Sequence, residues 1–118
     1  VNVDFQNQDI FNYKLPENIS IVISNPPYIE EDSNYNQNVL YEPKEAIFVC
    51  NINPLIYYEQ ILKIAKEQIT KKHLIAFEID EDHKEDMHKL CKKYFPSDNI
   101  VIEKDLAGKN RYAFIYSE

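Results

Sequence analysis

Apolar residues along the chain come in two rhythms. Val1, Val3 and Phe5 alternate with polar neighbours, the period of a half-buried strand, so a short strand is predicted over Val1–Phe5. Asp9, Ile10 and Phe11 follow in a turn. The polar stretch Asn12–Asn18, with Pro16 inside it, reads as a connector. Ile19–Ile23 is a nearly continuous β-branched run, the pattern of a parallel strand buried on both faces. Asn25-Pro26-Pro27 ends it. From Asn53 the period becomes helical: Leu55, Tyr58, Leu62, Ala65 and Ile69 form one apolar stripe. Asn53-Pro54 has the form of an N-cap followed by proline at the first helical position, and Lys71 and Lys72 sit where cations favour a helix C-terminus. Leu74–Ile79 predicts the next strand. Asp82 and Glu85 have capping-box spacing. Met87, Leu90, Cys91 and Tyr94 make the apolar face of a second helix, which must stop near Pro96. Ile100–Ile102 and Tyr112–Tyr116 predict two more strands, and Leu106–Asn110 between them has hairpin turn chemistry.

Strands alternating with helices predict an α/β fold, a mostly parallel sheet with helices packed on it. No helix separates the last two strands, so the final one is expected to be antiparallel and to close a hairpin. Glu30–Ile52 has little periodicity and predicts a long functional loop, because structureless loops of this length are uncommon in compact domains. Tyr57 and Tyr58 suit helix packing better than a nucleotide stack.

Composition narrows the picture. With 118 residues, 44% of them hydrophobic and 13% aromatic, the chain can build one modest core. The formal charge of −7 argues against general nucleic-acid binding and suits a cationic ligand or a basic partner. Gly108 is the only glycine, so a Gly-rich nucleotide loop is absent. Cys50 and Cys91 form no Cys-x-x-Cys pair, which points to a reducing, cytoplasmic setting. No apolar run approaches the length a bilayer needs, and the first residue, Val1, reads as an internal position of a longer protein. His73, His83 and His88 lie near Glu78, Asp80 and Asp82, yet His83 and His88 fall on different helix faces and no metal motif is present. They read as solvated side chains, with no metal site.

The candidate chemistry is Asn25-Pro26-Pro27-Tyr28. Ligands of open parallel sheets bind outside the carboxyl ends of the strands, and Asn25 stands at such an end. Its side-chain carbonyl accepts one hydrogen bond from an NH₂ group. Pro26 lacks an N–H but keeps a C=O that accepts the second, and the two prolines stiffen both acceptors. Tyr28 can lay a ring against a planar group. Together these residues form a clamp for a planar NH₂ group.

Ser24-Asn25-Pro26-Pro27-Tyr28-Ile29 resembles the NPPY signature of S-adenosylmethionine-dependent amino-methyltransferases, which act on adenine amines or glutamine amides. Three further segments resemble one branch, the release-factor glutamine methyltransferases (HemK/PrmC). These are Tyr41-Glu42-Pro43-Lys44-Glu45-Ala46-Ile47-Phe48, like its "EP..AL" segment; Leu74–Ile79, like its "L.LEIG" strand; and Asp105-Leu106-Ala107-Gly108-Lys109-Asn110-Arg111, like its terminal "DLAGR.R". The matches keep the family's order from about Asp9 to Arg111.

The resemblance implies the C-terminal half of a Rossmann-like class I methyltransferase sheet, with residues 1–118 as the C-terminal part of the catalytic domain. The Gly-rich cofactor loop and the N-terminal helical domain would lie upstream. It implies N5-methylation of the glutamine in the Gly-Gly-Gln tip of peptide-chain release factors, with S-adenosylmethionine as cofactor and the release factor as partner. Asn25 and the Pro26 carbonyl would bind the glutamine NH₂, with Pro27 stiffening the turn and Tyr28 bordering the amide. Asp9 and Ile10 match the turn that meets the cofactor's adenine, and Asn25 also faces the cofactor. Two departures stand out: Val49-Cys50-Asn51-Ile52-Asn53 replaces a stretch where the family carries glycines, and Asp80 replaces the "EIG" glycine. The rival readings are an adenine-N6 DNA or RNA methyltransferase and a non-catalytic α/β interaction fragment. The chain alone is expected to be inactive, and its exposed edges to favour self-association.

Overall fold

The computed structural model describes residues 2–29 and 53–117. The expected loop Glu30–Ile52, the Tyr41–Phe48 segment and Cys50 lie outside the described residues. Within them, a 3₁₀ turn at Ile10–Asn12 precedes β1 (Ile21–Ser24), and α1 (Ile56–Gln68) precedes β2 (Leu74–Glu78). A second 3₁₀ turn at Glu81–His83 leads into α2 (Lys84–Tyr94), followed by β3 (Asn99–Lys104) and β4 (Asn110–Tyr116).

The strands form one sheet in the order β1-β2-β4-β3. β1 and β2 are parallel, and β4 is antiparallel to both β2 and β3. Three strands therefore run one way and only the last reverses, as the alternation of elements predicts. β4 inserts between β2 and β3, which leaves a single hydrogen-bonded pair parallel.

Alternation along paired strands assigns the two faces. Val22 aligns with Ile75 and Ile115, and Ser24 with Phe77 and Ala113. This face meets both helices. Leu55, Tyr58, Leu62, Ala65 and Ile69 from the α1 region and Met87, Cys91 and Phe95 from the α2 region close the core over Ile75, Phe77, Ala113 and Ile115. The predicted α1 stripe is buried at every position. Burial pushes the Cys91 thiol up to about 12, so it packs as a small apolar group. The opposite face carries Ile21, Ile23, Leu74, Ala76, Phe114 and Tyr116, and neither α1 nor α2 lies on it.

That arrangement corrects two expectations. Ile21 is 58% and Ile23 79% exposed, so β1 is not buried on both faces. It is an edge strand among the described residues, and only its Val22 side rests on the helical layer. Residues 2–5 form no strand, and Val3 and Phe5 stand exposed. An alternating pattern becomes a strand only with a ladder partner, and none of the described residues offers one there.

Element ends also differ from the sequence pattern. Asn53 does not cap α1 directly. Its Oδ1 accepts from the Leu55 N–H at 2.9 Å, its Nδ2 donates to Glu59 at 3.0 Å, and its backbone carbonyl accepts from the Ile56 N–H. A turn at Pro54-Leu55 thus precedes the helix. Before α2 the capping side chain is Asp80, which accepts from the Asp82 N–H at 3.0 Å; the Asp82–Glu85 box does not form. Asp80 has φ −75°, so the position held by glycine in the family pattern demands no left-handed backbone here. His73 is not a solvated side chain either. Nδ1 faces the Lys71 carbonyl at 2.8 Å and Nε2 faces Asp98 at 2.5 Å, tying the start of β2 to the turn before β3.

The Asp105–Arg111 segment builds the β3–β4 hairpin. Asp105 Oδ1 accepts from the Ala107 and Lys109 N–H groups at 2.9 and 3.0 Å, and Oδ2 accepts from Arg111 Nε at 3.2 Å. Gly108 takes φ +82°, where a side chain would be strained. The backbone bond from Lys109, with Arg111 and the Ala107 N–H, holds the Asp105 carboxyl below the usual carboxylate range. A depressed folded value stabilises above the unfolded value and is lost as pH falls through the folded one. The side-chain hold on the turn is therefore expected to be present above the usual carboxylate range and to be lost in acid, as pH falls below that range through the depressed folded value. NMR shifts of the Lys109 and Ala107 amides should follow that titration, and Asp105→Asn should flatten it. Amides that stay unmoved across the range would show that Asp105 does not hold the turn.

Candidate active site

β1 and β2 are adjacent and parallel, so their carboxyl ends open on the same edge of the sheet. Asn25-Pro26-Pro27-Tyr28 leaves the first end. Ile79, Asp80 and the Glu81–His83 turn leave the second. This pairing is a usual position for ligand sites in open α/β sheets.

Each flanking segment is tied down. Pro26 and Ile29 are buried, and the Ile29 N–H donates to the Pro54 carbonyl at 3.0 Å. The Asn-Pro-Pro-Tyr turn is therefore held at β1 on one side and at the entry to α1 on the other. Asn25 and Pro27 are exposed and Tyr28 is half-buried. The Tyr28 ring stacks on His83, with centroids 4.1 Å apart and planes 24° apart. The Tyr28 hydroxyl lies 3.3 Å from His83 Nδ1. The end of β2 is fixed by Tyr58, whose hydroxyl donates to the Glu78 carbonyl at 2.8 Å and whose ring meets Phe77 edge-on at 5.2 Å. Burial, with Asp80 and Glu78 nearby, pushes the Tyr58 phenol up to about 12, so it stays a neutral donor. Tyr58 is a packing residue, as expected. From the hairpin side, the Ile79 N–H donates to the Arg111 carbonyl at 2.7 Å, and Lys109 approaches Glu81 at 3.7 Å. The Asp105–Arg111 segment thus supports the turn beside the site.

Glu59 joins the helices behind it. It receives Asn53 at 3.0 Å, Tyr94 at 2.9 Å and Lys93 at 3.3 Å. Burial raises its carboxyl, but the Tyr94 and Lys93 bonds outweigh that and hold it below the usual range. A cleft of about 340 Å³ opens between the start of α1 and α2, with Tyr28, Leu55 and Leu90 among its walls and Lys89 at its side.

Asp9 and Ile10 lie on the other side of β1. Asp9 caps the Ile10–Asn12 turn, accepting from the Phe11 N–H at 3.0 Å and from Asn12 Nδ2 at 3.3 Å. Gln60 donates to the Ile10 carbonyl at 3.3 Å. Ile10 and Ser24 share a cavity of about 200 Å³ with Tyr13, Val22, Ile61 and Ile64. The structure therefore brings the Asp9-Ile10 turn and the end of β1 to one slot, with Asn25 next along the chain. His83, read from the sequence as a solvated residue, turns out to face Tyr28; only the adjacency of β1 and β2 could have revealed that. Among the described residues, no group of three or more His, Cys, Asp or Glu side chains is arranged to hold a metal ion. None of their helices is long and apolar enough to cross a membrane.

A mixed α/β sheet with three co-directional strands, an inserted antiparallel last strand and Asn-Pro-Pro-Tyr at a strand's carboxyl end defines the class, a partial methyltransferase fold. No family model matches the chain. Individual proteins do. It is 37% identical over 100 residues to the release factor glutamine methyltransferase of Enterococcus faecalis, covering 82% of this chain and 36% of that protein. It is 32% identical to the Bacillus cereus protein of the same name, over 98% of this chain and 42% of that protein. For the Bacteroides thetaiotaomicron protein the identity is 34%, over 92% and 41%. Over most of its length the chain is thus consistent with a fragment of the release factor glutamine methyltransferase family, and it spans about two-fifths of the length of these curated relatives.

Proposed function

We propose that this chain is the C-terminal part of the catalytic domain of an enzyme that methylates the glutamine side-chain nitrogen in the Gly-Gly-Gln motif of peptide-chain release factors. The observation that supports this best is the Asn-Pro-Pro-Tyr turn, pinned at both ends beside the carboxyl ends of two parallel strands, in a chain related to enzymes of that name. In this reading Asn25 Oδ1 and the Pro26 carbonyl accept the two N–H bonds of the substrate amide. Pro27 stiffens the turn, and Tyr28 borders the amide plane. An amide nitrogen is a poor nucleophile because its lone pair is delocalised. Two acceptors on its hydrogens favour the positive charge that develops as it reacts, and holding it in line supplies much of the rate.

The apolar walls of the slot beside β1 suit a flat ring such as the adenine end of S-adenosylmethionine, and Asp9 caps the turn that carries Ile10 into that slot. When bound, that cofactor supplies an electrophilic methyl group. The chain has no Gly-rich loop to cradle the rest of it, so the chain alone is inactive and calorimetry should show weak or no cofactor binding.

The test is transfer of label from methyl-tritiated S-adenosylmethionine. This chain and the complete translation product of its gene would each be offered a release factor and, separately, DNA. Label on the release factor by the complete product supports the reading. Label on DNA alone moves the assignment to an adenine-N6 enzyme, which the net charge of −7 disfavours.

The chain by itself should also self-associate through β1. Ile21 and Ile23 stand out from an edge strand whose outer rim no described residue pairs, and such an edge is a template for a second copy. Sedimentation should show dimers or larger species, which Ile23→Lys reduces. A clean monomer at high concentration would remove this expectation.

A further inference from the structure

Tyr28 meets His83 although 55 residues separate them, because each follows one of two adjacent parallel strands. The contact is specific in geometry. The rings are stacked at 4.1 Å with a 24° tilt, and the hydroxyl oxygen lies 3.3 Å from Nδ1. His83 is itself fixed. Its backbone N–H donates to the Asp80 carbonyl at 3.2 Å, at the junction of the 3₁₀ turn and α2. The carboxylates of Asp80 and Asp86 approach its ring nitrogens at 3.9 and 4.0 Å. One residue beyond Tyr28, the Ile29 N–H is anchored to Pro54.

We propose that His83 is a positioning residue that presets the Tyr28 ring as a wall of the amide clamp. The inference rests on the clamp reading of Asn25–Tyr28 and deepens it. A tyrosine on an unsupported turn samples several rotamers and loses that freedom each time substrate binds. A ring already stacked on an imidazole is held near one orientation beforehand, and the aromatic pair supplies the restraint. Because His83 is set by the turn after β2, the clamp is assembled from both strands. His83 touches no substrate; its effect passes through Tyr28. The flat face, more than the nitrogen, is what the geometry requires, since the hydroxyl contact at 3.3 Å is long for a hydrogen bond made by an O–H donor.

The experiment has two arms. In the chain itself, NMR should show nuclear Overhauser contacts between the Tyr28 and His83 rings and an upfield ring-current shift of the Tyr28 ring protons. Their absence overturns the proposal whatever the activity. In the complete translation product, His83→Ala should raise KM for the release factor about five- to tenfold, the size of effect expected from lost preorganisation. Its KM for S-adenosylmethionine should move less than about twofold. His83→Phe, which keeps a flat ring, should restore most of the loss. A purely structural role would lower kcat and thermal stability without that split or that rescue. Asn25→Ala run alongside separates the two ideas. If it abolishes transfer while His83→Ala leaves KM unchanged, the positioning role fails and the clamp stands. If Asn25→Ala leaves transfer intact, the clamp reading fails, and the NMR arm still decides whether His83 holds Tyr28. Should His83→Ala not fold, His83→Phe against His83→Leu makes the same comparison of flat and branched side chains.

Discussion

Asn25→Ala in the complete translation product is expected to lower kcat for release-factor methylation by about 10²–10³, the loss seen when one preorganised hydrogen-bonding group is removed from a transition state. The physical reason is specific to the acceptor. Alanine leaves the turn in place, because Pro26 and Ile29 are buried and the Ile29–Pro54 bond holds the far side. It removes only Oδ1. One amide N–H then loses its partner, and the nitrogen is no longer held with its face toward the methyl donor. Stability should barely change, since Asn25 is exposed and surface substitutions cost about 0.5 kcal/mol or less. Loss of activity with an unchanged unfolding midpoint is therefore the signature. Asn25→Asp is a sharper probe. It keeps an oxygen acceptor at nearly the same place but adds a negative charge, and it should retain more activity than alanine. If Asn25→Ala turned over at the normal rate, the turn would be a strand terminator and the amide clamp would be wrong.

The second large effect is one of stability. Phe77→Ala is expected to cost about 3–5 kcal/mol, measured by urea unfolding of the chain. Phe77 is 2% exposed and sits at the centre of the sheet, aligned with Ser24 of β1 and Ala113 of β4. Its ring meets Tyr58 edge-on. Nothing nearby can collapse into the space, because Ala113 opposite it is small and Tyr58 is held by its bond to the Glu78 carbonyl. A loss of that size is a large part of the about 5–15 kcal/mol that keeps a domain folded, so the variant should be partly unfolded at 37 °C. Since Phe77 lies beside Ser24, one residue before Asn25, activity should fall with folding. Phe77→Leu should recover much of both. A cost below about 1 kcal/mol would mean that this part of the core repacks freely.

The periodic segments were legible from the residues themselves. The α1 stripe, the apolar face of α2 ending before Pro96 and the turn at Leu106–Asn110 all stand where their patterns place them. Local signals fail where a local pattern has two outcomes. Val1–Phe5 alternates like a strand, yet residues 2–5 form none, because alternation says which face would be buried and not whether a neighbour exists. Ile19–Ile23 reads as doubly buried, yet Ile23 is 79% exposed, because β-branched runs suit any strand and burial depends on what is stacked against it. Asp80 and Asp82 are equally good caps by composition, and the chain's path after β2 selects Asp80.

By itself the sequence determined the two helices, the four strands from Ile21 onward, their order, the hairpin that reverses the last strand and the Asn-Pro-Pro-Tyr turn at the end of β1, since each carries its own local pattern. Only the tertiary structure decided that β4 inserts between β2 and β3, that both described helices share one face, and that His83 comes to lie on Tyr28. Those are contacts between residues far apart in the chain. They are selected by the total burial and hydrogen bonding of the whole sheet, which no short stretch of sequence encodes.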